Sequence, residues 1–374
     1  MPIGGFDTDD GLGFGARAEL QLREPGYEPY RAAWMVQGFA TFRGYQQHEL
    51  RYDRLRLGPM GRNRLIVYGA WRQWLNDGYW GAGNGTTREQ AFADDFEADD
   101  PRRKRYRYTL LQPFAHATLR HDLSDDGPWG VYGAINPKYS VVQTYEGSLL
   151  EEQQPYGMAG GLAVQLMAGV LYDTREREIA PRRGALVELG GRLCPALQGQ
   201  AGGFAGLMGS ARGYLPLGDR MVAAGRLMAE HLWGDVPFYE QVHWSGLRPV
   251  RGVGGSETVR GMSFGRFRAP GKAVANAELR VHTASWQLLG RPLDVELAPF
   301  ADAAAVFGAG EQATAEPPSL PLHPSGGLGA RLIFDRSFVG RLDVGWALDP
   351  VMDADGGVRQ EPTMGLYMAF DHAF

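Results

Sequence analysis

Apolar and polar residues alternate with a period of two along nearly the whole chain. From Gly11 to Arg23, Leu12, Phe14, Ala16, Ala18, Leu20 and Leu22 share one face, while Arg17, Glu19, Gln21 and Arg23 share the other. Lys272 to His282 repeats the pattern, with Ala273, Ala275, Ala277, Leu279 and Val281 opposed to Asn276, Glu278, Arg280 and His282. Leu293 to Ala303 sets Leu293, Val295, Leu297 and Ala301 against Asp294, Glu296, Phe300 and Asp302. Arg341 to Leu348 sets Leu342, Val344, Trp346 and Leu348 against Arg341 and Asp343. Successive strand side chains point to opposite faces, so each run is a β-strand with one apolar and one polar wall. The chain closes on Leu366, Met368, Phe370, His372 and Phe374, which read as a last strand ending on an aromatic residue.

A soluble sandwich would show the same alternation, so loop length has to separate the two. Arg336–Gly340, Gln287–Pro292 and Pro216–Asp219 are tight turns. Between them fall the long segments Asp349–Thr363, Ala309–Gly326 and Trp233–Gly271, with Thr144–Met158 and Asp77–Arg102 farther upstream. Short turns on one side and long loops on the other are the signature of a transmembrane barrel. Counting back from Phe374 gives fifteen strands to Gly11. Pro2 to Phe6 then reads as a short first strand turning through Asp7–Asp10, for a total of about sixteen. An even count puts both termini on the short-turn side. The expected fold is therefore all-β: a transmembrane antiparallel β-barrel, one domain over residues 1–374.

Composition agrees with this reading. Glycine supplies 53 of 374 residues, roughly twice the usual share of about 7%. Mean hydropathy is −0.30, and no stretch approaches the ~20 apolar residues of a spanning helix. Barrel strands, apolar on one side only, average to near-neutral hydropathy. The formal charge of −5 gives no reason to expect nucleic acid. Cys194 is alone, so neither an internal disulfide nor a cysteine-based metal site is expected. The opening MPIGGFDTDD has no basic start or apolar core, so a signal peptide is expected to have been removed.

The sharpest motif is VGGSETVRGMSFGRF, Val253 to Phe267. Asn276-Ala277-Glu278-Leu279 and Pro299-Phe300-Ala301-Asp302-Ala303 follow it. Here the chain resembles the BamA/TamA-type outer-membrane assembly family, the bacterial surface antigens. In that family the sixth long loop folds into the lumen behind a Val/Ile-Arg-Gly-Phe/Tyr tip, whose arginine pairs with acidic side chains on the two following strands. The resemblance implies a lumen-folded loop at about 234–271. Its anchor would be Val259, Arg260, Gly261 and Met262, with Glu278 and Asp302 as partners; Met262 stands where an aromatic is usual. The facing assigned from alternation independently turns both carboxylates inward. Tyr172–Arg175 with Pro181–Gly184 resembles the family's turn between the eighth and ninth strands, and Gly78–Asn84 resembles a glycine-rich loop of its smaller members. The POTRA domains usual in the family, or any other periplasmic domain, are not expected in this chain.

Other chemistry finds no footing. A G-x-S-x-G elbow is missing, the histidines have no serine at suggestive spacing, and neither a catalytic centre nor a cofactor or metal site is expected. The acidic run Asp94 to Asp100, followed by Pro101–Arg105, reads as an outer loop of balanced charge. Trp34, Trp71, Trp74, Trp80, Trp129, Tyr132 and Tyr139 are candidates for interfacial aromatic girdles.

Three functions stay open. The resemblance implies an integral outer-membrane factor that inserts or translocates polypeptides through a weak seam between first and last strands. Gly4 and Gly5 would lie on one side of that seam, and Gly365, Phe370 and Phe374 on the other. Its partners would be outer-membrane lipid, lipopolysaccharide, client polypeptides, or a separate POTRA-bearing or periplasmic subunit. The second is a passive pore favouring anions through Arg17, Arg226, Arg280 and Arg341; the third is a structural or lipid-organising subunit of a larger envelope complex.

Overall fold

The computed structural model describes residues 2–374 apart from 28, 87–100, 197–202, 289, 310–321, 335–337, 349–350, 353–357, 360–363 and 371–373. The acidic run Asp94 to Asp100 and His372 lie outside the described residues.

Sixteen strands close a barrel in which sequence neighbours pair antiparallel. In order they are β1 (Pro2–Asp7), β2 (Gly11–Leu22), β3 (Ala32–Thr41), β4 (Tyr45–Leu57), β5 (Asn63–Gly78), β6 (Arg107–Asp122), β7 (Trp129–Thr144) and β8 (Gly161–Asp173). There follow β9 (Gly184–Cys194), β10 (Phe204–Pro216), β11 (Met221–Gly234), β12 (Gly271–Leu288), β13 (Arg291–Phe307), β14 (His323–Phe334) and β15 (Phe338–Ala347). The two-residue strands β16 (Val351–Met352) and β17 (Val358–Arg359) form a separate hairpin, and β18 (Gly365–Phe370) closes the cylinder against β1. A five-residue helix, α1 (Leu149–Gln153), sits in the β7–β8 connection, with Ser148 capping its N-terminus.

The alternation resolves as expected. Leu12, Phe14, Leu20 and Leu22 of β2 are exposed on the outer wall, as are Leu297, Leu342 and Trp346. Asn276, Glu278, Arg280, Asp302, Arg341 and Asp343 are buried on the inner one. An outer surface of exposed leucine, valine and tryptophan is unfavourable in water and favourable in lipid. Among the described residues no helix is long and apolar enough to cross a membrane.

Two sequence readings need correction. Trp74, Trp80 and Tyr132 do not join an outer girdle; all three are buried, whereas Trp34, Trp71, Trp129 and Tyr139 are exposed. Trp74 stands three positions after Trp71 on the same strand, and an odd step reverses the face. Phe374 also does not extend the last strand, which is described over Gly365–Phe370. Phe374 is buried among Tyr214, Val222 and Ala224 of β10 and β11. The Arg226 and Arg280 guanidiniums lie 5.2 and 5.6 Å from its ring, favourable contacts with an aromatic face.

Candidate functional site

The connection from β11 to β12 returns to the barrel interior and builds its own small core there. Trp244, Val253, Val259, Met262, Phe267 and Ala269 pack against Met228, Val274, Ala304 and Val306 of the wall. Met262 is buried in this cluster, so an unbranched side chain serves where the resemblance implies an aromatic. Thr258 ties the bend, its hydroxyl donating to the Gly254 carbonyl and accepting from the Gly254 amide at 3.0 Å each. Gly261 has φ of 102°, and a Cβ there would lie 2.7 Å from the Trp346 backbone of β15. A Cβ on Gly345 would lie 2.7 Å from the Arg260 carbonyl. Two glycines facing one another let loop and wall meet backbone to backbone.

Arg260 is the centre of the site. Its Nε and Nη2 donate to the two oxygens of Asp302 at 2.8 Å each, and Nη1 donates to Glu278 Oε1 at 2.6 Å. Nη1 also reaches Asp343 Oδ2 at 3.3 Å, and the Arg260 amide donates to Asp302 at 3.1 Å. The guanidinium lies 3.5 Å from the centre of the Phe300 ring. Burial alone would weaken its hold on the proton, but Asp302, Glu278 and Asp343 outweigh that and raise its pKa. A planar fork that stays charged when dry suits a site with three carboxylates. Surrounding arginines complete the balance: Arg331 bridges Asp343 at 2.5 Å and Glu278 at 3.0 Å, Arg280 pairs with Glu278, and Arg341 with Asp343.

The structure thus brings Val259, Arg260, Gly261, Met262, Glu278 and Asp302 together. It adds Asp343, which alternation had turned inward but nothing in the sequence had linked to the tip.

A second anchor of opposite polarity has no sequence signature. Glu240 of the loop receives Lys138 of β7 at 2.9 Å, Gln165 of β8 at 3.0 Å and Arg192 of β9 at 3.4 Å. Burial would raise its pKa, yet Lys138 and Arg192 lower it overall. Behind it, Glu230 of β11 pairs with Arg192 at 3.2 Å and Lys272 at 2.7 Å. The loop therefore presents a cation to wall carboxylates at one end and a carboxylate to wall cations at the other.

The same tip spans the junction of first and last strands. Between β1 and β18 the register of the described residues has one pair, Asp7↔Tyr367, against six between β1 and β2. Thr8 extends it slightly, its amide donating to the Leu366 carbonyl at 3.2 Å while its hydroxyl accepts from the Leu366 amide at 2.7 Å. From β18, the Tyr367 hydroxyl accepts from the Gly261 amide at 3.0 Å and donates to the Met262 carbonyl at 3.1 Å. From the β1–β2 turn, Asp9 accepts the Phe264 amide at 2.8 Å. Gly4 and Gly5 pair with Phe14 and Gly13 of β2, and Gly365 and Phe370 with Gly345 and Gly340 of β15. Phe374 lies away from this junction, against β10 and β11.

The arginines expected to favour anions are engaged. Arg17 pairs with Glu19, Arg280 with Glu278, and Arg341 with Asp343, while Arg226 binds Asn276 and the Glu257 carbonyl.

Comparison with known proteins fits this geometry. The Omp85 superfamily domain profile matches residues 136–364, whereas no curated protein sequence matches. Among solved structures, BamA from Haemophilus ducreyi lacking POTRA domains 1-3 superposes with a TM-score of 0.58 and 16% identity, covering 98% of this chain and 69% of that one. CdiB from Escherichia coli gives 0.63 and 13%, covering 99% and 62%. CdiB from Acinetobacter baumannii gives 0.55 and 13%, covering 98% and 58%. The chain therefore spans about two thirds or less of the length of these proteins. With the profile covering more than half of its residues and an inward loop held by Arg260, the chain belongs to the Omp85 superfamily and is an integral outer-membrane β-barrel.

Proposed function

We propose that this barrel inserts or translocates polypeptides at the outer membrane by parting β1 from β18. The observation that carries the reading is the contrast in pairing. Among the described residues the closing junction rests on one register pair, and every other junction of the cylinder on at least six. A short junction leaves strand-edge amides and carbonyls for an incoming strand to pair with. Gly4 and Gly5 suit such an edge, since strand glycines bring no side chain to hold it. Clients would be outer-membrane polypeptides. Lipid and lipopolysaccharide would meet the outer wall, and a POTRA-bearing or other periplasmic subunit the short-turn side. The barrel, residues 1–374, acts as one domain with the loop at about 234–271 as its internal fastening.

Extending the Asp7↔Tyr367 register places Gly4 opposite Phe370. The test is a disulfide between Gly4→Cys and Phe370→Cys in a Cys194→Ser background, with client insertion measured in proteoliposomes. Activity should vanish when the bridge forms and return on reduction. Full activity with the bridge quantitatively formed would refute the gate.

A further inference from the structure

Between the inward loop and β1–β9 lies a cavity of about 510 Å³. Among the described residues six arginine and lysine side chains reach it: Arg17, Arg51, Arg72, Lys138, Arg192 and Arg251. Four have carboxylates within 4 Å: Arg17 pairs with Glu19, Arg51 with Asp53, Lys138 with Glu240, and Arg192 with Glu230 and Glu240. Arg72 and Arg251 have none among the described residues, and the Nε of each is buried without a hydrogen-bond partner.

Both guanidiniums are nevertheless held in place by rings. Arg72 lies 4.8 Å from the centre of the Phe114 ring; Arg251 is sandwiched between Trp74 at 4.2 Å and Phe264 at 4.6 Å. Stacking occupies the flat faces of a guanidinium and leaves its N–H edge for an anion. The two also repel each other: burial first, and then Arg72, depress the pKa of Arg251. Among the described residues the carboxylates lining the cavity are Asp7, Asp10, Glu49 and Glu257. Glu49 accepts from Gln47 at 2.7 Å, Glu257 from the Arg251 amide at 3.1 Å and Asp7 from the Asp9 amide at 2.7 Å; Asp10 reaches neither guanidinium within 4 Å. Tyr45, Tyr68 and Gln112 supply further polar edges.

We propose that Arg72 and Arg251 form a lumenal binding site for a phosphate group. Two fork-shaped donors lining one cavity match a tetrahedral oxyanion, which would relieve their repulsion and satisfy both open Nε–H groups. A second cavity of about 350 Å³ shares Arg51, Arg72, Tyr68 and Glu257 with the first and runs to the β8–β9 turn at Arg175 and Pro181. That path gives entry from the short-turn end, for free phosphate or for a phosphate carried on a lipid headgroup. The site stands independently of the gate between β1 and β18.

The experiment uses the whole chain in phosphate-free detergent and titrates inorganic phosphate and dihexanoyl phosphatidic acid in parallel by calorimetry. Saturable binding of one equivalent is expected, weakened at least tenfold by Arg72→Gln or Arg251→Gln and unchanged by Arg31→Gln, whose side chain pairs with Glu24 outside the lining of either cavity. Comparable affinity for both probes would identify the free ion as sufficient, and binding of the phosphatidic acid alone would identify a headgroup; either supports the site. Phenylglyoxal labelling of the unmutated protein supplies a readout that needs no variant, since bound phosphate should protect Arg72 and Arg251. No saturable binding of either probe would overturn the proposal. So would equal affinity in a folded double variant, or labelling that the bound probe leaves unchanged.

Discussion

The hydroxyl of Tyr367 in the closing strand holds the backbone of Gly261 at the loop tip, accepting from its amide at 3.0 Å. The contact depends on two glycines. Gly261 allows the tip to touch β15, and Gly365 leaves room for the phenol, because a Cβ there would lie 2.2 Å from the Tyr367 hydroxyl. With Asp9 bound to Phe264 on the other side, Gly261, Met262 and Phe264 of the loop tie the closing strand to the β1–β2 turn.

Removing that hydroxyl should loosen the tip without emptying the lumen. Tyr367→Phe leaves the Gly261 amide buried and unpaired, a cost of about 1–3 kcal/mol, whereas the Met262 carbonyl keeps the Gly255 amide at 2.9 Å. Hydrogen exchange at the tip should accelerate, and Gly365→Ala should reproduce the effect by displacing the ring. Exchange as slow as in the unmodified protein would contradict the assignment.

Arg260→Ala should be more damaging. It strands carboxylates in a dry interior, at a cost of roughly 3–5 kcal/mol. The folded barrel should lose heat resistance on semi-native gels and its loop should become accessible to protease. Arg260→Lys should rescue only part, since an ammonium cannot span Asp302 and Glu278 as the fork does. Unchanged melting with an intact loop would count against the pairing.

Glu240→Ala should release the opposite end of the loop. Lys138 would lose its carboxylate, whereas Arg192 keeps Glu230. The loss should again be about 3–5 kcal/mol. Because the partner sets of Glu240 and Arg260 do not overlap, the two effects should add. Melting temperatures of the single and double variants check this.

The β1–β2 turn should respond to pH. Burial, then Asp9 and Asp77, push Asp10 from the ordinary 3.8 to about 7. The folded chain therefore holds this proton more tightly than the unfolded chain. Its stabilisation is complete below 3.8 and falls away as pH rises to about 7, by on the order of 1 kcal/mol per pH unit. Asp10→Asn should flatten that slope and melt higher than the parent at pH 8. A slope unchanged by the substitution would show that other groups set it.

Strand positions, the even count and the inward facing of Glu278 and Asp302 were legible because lipid imposes period-two alternation on every crossing. The tip was legible because Val259–Met262 keep a recognisable motif. Glu240 was not, because a loop has no periodicity to show where a carboxylate points, and Lys138 lies 102 positions away. Phe374 misled for a related reason: its parity continues the last strand, but its ring finds Tyr214 and Arg226 inside.

The carboxylates around Arg260 come from β12, β13 and β15, and Arg331 of β14 bridges the gap between them. The smallest slip that keeps a strand's apolar face toward lipid is two residues, and it would carry that strand's charge away by roughly 7 Å. A misthreaded wall would then offer the guanidinium too few oxygens to hold it. A seated tip thus certifies that four neighbouring strands were laid down in the right alignment, making the loop an inspector of its own barrel's assembly.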